Sequence, residues 1–136
     1  MIKRADYEPY IYSLPDRYPS LVKSSLAVIP TGPLSAKVSG EVKFPKGVML
    51  RVREVLDFTE GKIVWYSYEV RQADEVLYYY DSQEHPYDET LKATHPHHKH
   101  IHPDIKHHRI PAEELSFDHP NLDFIIEEIE REVLSK

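Results

Sequence analysis

Between residues 35 and 81 the sequence alternates in a way few folds can accept. In SAKVSGEVKF, Val38, Gly40, Val42 and Phe44 take turns with Lys37, Ser39, Glu41 and Lys43. A strand with one buried face demands that two-residue period. PKG then leads into VMLRVREVLDF, where Val48, Leu50, Val52, Leu56 and Phe58 share a face. TEGK leads into IVWYSYEVRQ, and ADE into VLYYYD. Connections this short join neighbouring strands only in antiparallel fashion. The pattern predicts a meander of four to five strands, counting the apolar run Leu26 to Ile29 before the PTGP turn.

The end of the chain changes period. In FDHPNLDFIIEEIEREVLSK, Leu122, Ile125, Ile126, Ile129 and Val133 recur at helical spacing, with Asp118 or Asn121 as cap and Pro120 tolerated beside the first turn. Such a stripe needs an apolar partner, which the open face of the meander supplies, and its glutamates are expected on the solvated side. The expected architecture is α+β, a curled antiparallel β-sheet packed against a C-terminal α-helix. A chain of 136 residues suits one domain. Its parts would be an N-terminal arm (1–25), the sheet (26–81), a His/Pro-rich segment (82–116) and the helix (117–136).

Composition matters chiefly for what it excludes. There is no cysteine, so disulfides, thiolate metal sites and cysteine nucleophiles are ruled out. The apolar runs are too short to span a bilayer, and MIKRADYEPYIYSLPD has no signal-peptide core. A cytoplasmic protein without a membrane partner is expected. A formal charge of −6 argues against coating nucleic acid by bulk attraction. It leaves room for a local cationic site.

Two features carry candidate chemistry. On the third predicted strand Glu54 interrupts the apolar row between Val52 and Leu56. Either a bulge turns it into solvent, or it is a buried acid, base or orienting group facing the segment beyond the sheet. Tyr66 and Tyr68 share one face of the next strand. Packing accounts for aromatic residues in strands, though their hydroxyls could reach an interface or a base-stacking surface. Asp81 and His85 lie where the sheet hands over to the histidines.

The second feature is the histidine run itself. Seven of the nine histidines fall between His95 and His108. Three readings stay open. In extended backbone His98, His100 and His102 point one way and His95 and His97 the other, so the first three could ligate zinc or another divalent metal. The loop could equally be a solvated tract. The third reading needs no cofactor: His97, His98 and His100 transfer protons, Glu54 orients one imidazole, and Lys99 and Arg109 hold phosphate. Those are the requirements for cleaving RNA beside its 2′-hydroxyl.

The ordered pieces VSGEVKF, LRVREVLDF, YSYEV, YYYDSQEHP and HPHHKH resemble the TumE family of small prokaryotic toxins from type II toxin–antitoxin modules. The resemblance covers roughly Leu26 to His108. Its most characteristic piece is Pro96, His97, His98, Lys99 and His100, joined by Glu54, the Tyr66 and Tyr68 pair, Tyr80 with Asp81, and His85. Relatives carry an arginine before the tyrosine–aspartate pair, where this chain has Tyr79. A phosphate-binding role for that arginine would pass to Arg109, Arg51 or Arg53, or be absent. His102, His107 and His108 are additions. The resemblance implies a toxin neutralised by a cognate antitoxin, often a helix-turn-helix protein. RNA as substrate follows from the chemistry of the residues.

Overall fold

The computed structural model describes residues 1–82 and 96–136. Two short helices open the chain, α1 (Arg4–Tyr12) and α2 (Leu14–Arg17). The strands are β1 (Lys23–Ser24), β2 (Ala27–Gly32), β3 (Ser35–Lys43), β4 (Val48–Asp57), β5 (Lys62–Gln72), β6 (Glu75–Asp81), β7 (His98–His100) and β8 (Arg109–Pro111). Helix α3 (Leu122–Ile129) follows, continued by one wider turn over Glu130–Leu134.

The eight strands of the described residues form one open antiparallel sheet, ordered β1-β3-β4-β5-β6-β7-β8 with β2 also on β3. The expected four to five strands are the long central ones. The count falls short because β1, β7 and β8 span only two or three residues each, too few to display a period. The His/Pro-rich segment is therefore not simply a connection: β7 and β8 extend the sheet. At Gly40, φ is +141° and an added Cβ would lie 2.6 Å from the Ser25 carbonyl oxygen. The chain passing from β1 to β2 presses on β3 there, and only glycine leaves room.

The core lies on one face of the sheet. Val38, Leu50, Val52, Leu56, Ile63, Tyr66, Tyr68 and Val70 are buried there, as are Leu122, Ile125, Ile126 and Ile129 of α3. Burying each such side chain is worth about 1.5–3 kcal/mol, so this face carries most of the stability. The N-terminal residues expected as an arm are part of it: Tyr7, Ile11 and Leu14 are buried. They are tied to α3 by hydrogen bonds from Tyr18 and Arg17 to Asp123. Asn121 precedes α3 but makes no side-chain cap; its amide donates to Tyr68 and to the Ser116 carbonyl instead. Nor are all helix glutamates solvated. Glu128 is buried and accepts from the Tyr80 hydroxyl and the Lys99 ammonium.

Candidate functional site

Register decides which side chains meet. On β6 and β7 the partners are Tyr79↔His100, Tyr80↔Lys99 and Asp81↔His98. Opposed residues of an antiparallel pair share a face. Tyr80 lies on the helix-covered face, so Lys99 does too; Asp81, Tyr79, His98 and His100 lie on the outer one. Arg109, opposite His100 on β8, joins them.

Asp81 is the hub of this outer cluster. Its two oxygens lie 2.5 Å from His98 Nε2 and 3.4 Å from His100 Nε2. The other nitrogens are engaged as well: His98 Nδ1 is 3.0 Å from the Pro96 carbonyl oxygen, and His100 Nδ1 is 2.9 Å from that of Ile105. Tyr79 stacks on His100 with ring centroids 4.0 Å apart. Both imidazoles are buried, and Asp81 is the member that reaches the surface. Burial pushes the Asp81 carboxyl up, but hydrogen bonds from His100 and His98 and the charge of His98 outweigh it. The result lies well below the usual carboxylate range.

Glu54 stands elsewhere. It is buried on the helix-covered face, so the bulge reading does not hold, and β3, β4 and β5 pair in register through Val38, Glu54 and Tyr66. Its carboxylate accepts from Tyr7 at 2.5 Å and from the Tyr68 hydroxyl. Burial raises its carboxyl above the ordinary value, and the two tyrosine hydrogen bonds only partly counter this. The carboxylate that orients imidazoles is thus Asp81. Glu54 organises tyrosines, because the pleat directs it away from β7's outward histidines.

The profile of the family described as Toxin TumE matches residues 12–133 of the 136. The chain belongs to the TumE toxin family. No curated protein and no solved structure matches it. Membership in TumE implies an antitoxin partner. Among the described residues no helix is long and apolar enough to cross a membrane.

Seen as a TumE chain, the named candidates divide into three groups. His98, His100, Asp81 and Arg109 meet on the outer face. His97 points the other way, stacked on Tyr66 with its Nδ1 2.6 Å from the tyrosine hydroxyl and edge-on to Phe117. Lys99 is on the same covered side, 3.2 Å from Glu128 and above the Tyr78 ring. Tyr66 and Tyr68 are fully buried core rings. His102, expected to ligate a metal with His98 and His100, does not join them: it is exposed, with Nε2 on the Val76 carbonyl and near Glu75, and Asp81 stands in the third place. His85 lies outside the described residues. Tyr79 escaped the sequence reading as a site residue, although its alternation with Tyr78 and Tyr80 already placed it beside Asp81.

The outer face continues across the sheet as a polar platform. Register sets Arg53 and Ser67 in line with Asp81, and Arg51 and Glu69 in line with Tyr79. Trp65 and Val55, opposite one another on β5 and β4, are exposed at its far side.

Proposed function

We propose that this toxin acts on RNA, held along the outer face of the sheet and cleaved beside Asp81, His98 and His100. One observation carries the reading: a carboxylate–imidazole centre occupies the same face of the sheet as Arg51, Arg53, Arg109 and an exposed tryptophan. Single-stranded nucleic acid is commonly bound by cations that follow its backbone and aromatic rings that take its bases. Cleavage beside a 2′-hydroxyl needs a proton acceptor, a proton donor and fixed positive charge. His98 and His100 supply the proton chemistry, Asp81 orients them, and Arg109 and Arg53 hold phosphate. Trp65 and Tyr79 take the stacking role first considered for Tyr66 and Tyr68, whose rings are enclosed. Lys99 and His97 support the fold from the other face.

The test is tightly controlled induction of the wild type, Asp81→Asn and His102→Gln, followed by growth measurement and inspection of total RNA. Wild type and His102→Gln should arrest growth and fragment RNA, whereas Asp81→Asn should do neither. Undiminished toxicity of soluble, folded Asp81→Asn would overturn the assignment. Arrest with intact RNA would remove RNA as the substrate.

A further inference from the structure

We infer that Asp81, His98 and His100 form a binding site for a divalent transition-metal ion of the Zn(II) class. One donor atom from each lies within 4.8 Å of the others. Proximity alone would also describe a clamp that fastens β7 to β6. The ring orientations go further. A carbonyl oxygen only accepts, so Nδ1 of each imidazole, facing Pro96 or Ile105, carries the hydrogen and donates it. Both Nε2 atoms face the centre, where without an ion they donate to Asp81; a bound ion would take the place of those hydrogens and use the lone pairs they leave. Metal-binding histidines are held in this way, the far nitrogen donating to a fixed acceptor so that the near one offers its lone pair. Here two rings adopt that arrangement independently, using two different carbonyls.

The donor set selects the ion class. Imidazole and carboxylate together suit zinc and its neighbours, whereas calcium and magnesium call for oxygen ligands throughout. Ligand atoms around a tetrahedral zinc stand about 3.3 Å apart, since each is roughly 2.0–2.1 Å from the metal. The His100–Asp81 separation of 3.4 Å already matches. The His98–Asp81 separation of 2.5 Å must widen by about 0.8 Å to reach that spacing, which a small turn of the aspartate provides. Three protein ligands leave a fourth position open, as in catalytic rather than structural zinc sites. His102 takes no part: its Nε2 faces the Val76 carbonyl at 2.8 Å. His107 and His108 bond to Asp104 and to the His102 carbonyl.

This inference goes beyond the RNA reading and does not need it, because binding and cleavage are measured separately. An ion would displace the Nε2 hydrogens, so the loaded centre cannot exchange protons and zinc would act as an inhibitor of the cleavage proposed above. The full chain, without an affinity tag, is stripped with chelator and dialysed against micromolar Zn(II), and bound metal is counted by emission spectroscopy. One equivalent is expected, with affinity at least tenfold weaker in Asp81→Asn and in His98→Gln but unchanged in the double variant His102→Gln/His107→Gln. Zn(II) should also raise the melting temperature of the wild type and not of Asp81→Asn. Binding well below one equivalent, or binding that follows His102 and His107 rather than Asp81, overturns the site. Cleavage lost in chelator while binding behaves as expected would refute the proton-transfer assignment and leave the metal site standing.

Discussion

Glu54 and Asp81 are both strand carboxylates of one sheet, two strands apart, and their surroundings push them in opposite directions. Glu54 faces the helices, and its two hydroxyl partners do not offset burial, so its carboxyl is raised. Asp81 faces outward, and its two imidazole partners more than offset burial, so its carboxyl is lowered. Partner chemistry together with depth sets the charge a strand carboxylate can keep. A hydroxyl shares a proton; an imidazole can carry a full positive charge. Pairs of acids driven apart in this way mark a division of labour, here between holding the fold and serving the site.

The two carboxylates should differ most in their effect on stability. Glu54→Ala should cost about 3–5 kcal/mol in urea denaturation, since it opens a cavity and strands the Tyr7 and Tyr68 hydroxyls. Asp81→Asn should cost less, about 1.5–3 kcal/mol, because it weakens charge-assisted hydrogen bonds but opens no cavity. Equal losses would erase the proposed division.

Activity should show the reverse order. Asp81→Asn is expected to lower RNA cleavage by about 100-fold. Glu54→Gln should leave the rate of the folded fraction close to wild type in the same assay.

The pH dependence sharpens the case of Glu54. Its folded-state carboxyl titrates higher than the unfolded one, so between those two values the folded protein binds more protons. Stability must therefore fall as pH rises from the ordinary carboxylate range towards the raised value. Urea midpoints of wild type measured from pH 4.5 to pH 7.5, set against Glu54→Gln, should converge towards acid and separate towards neutrality. A separation that grows towards acid instead would reverse the assignment.

The smallest effects concern the two faces. Arg53→Ala should reduce the salt dependence of RNA binding by about one unit in the log–log slope, as removal of one phosphate contact does. Lys99→Ala should leave that slope unchanged, because its ammonium is turned to Glu128. Fluorescence titration of a short single-stranded RNA at several salt concentrations measures both.

Much of this was legible in the amino-acid order. The long strands β3 to β6 announce themselves because one face is apolar almost throughout, Glu54 being the exception, while the other carries Lys37, Arg51, Arg53 and Glu69. The opposite facing of His97 from His98 and His100 follows from the two-residue period once the segment is extended. Asp81 could be named because it ends a strand just before the histidines. The strand β7 itself was hidden: neither of its faces reads as a hydrophobic row, since one carries imidazoles and the other a lysine. The partners of Glu54 were hidden for a related reason. Its row reveals a carboxylate on the buried side, but its partner Tyr7 comes from α1, 47 residues away, and no local pattern announces that contact.

A run of imidazoles at alternate positions is nearly its own duplicate. Sliding β7 by two residues would offer His100 and His102 to Asp81 with the same facing, so the residue types opposite Asp81 and Tyr79 would be unchanged. The reverse side distinguishes the two alignments, because the slide would exchange Lys99 for Ile101 and leave the Glu128 carboxylate without its ammonium. A single cation lodged beneath the helix thus acts as the index mark that selects one alignment of a repetitive strand.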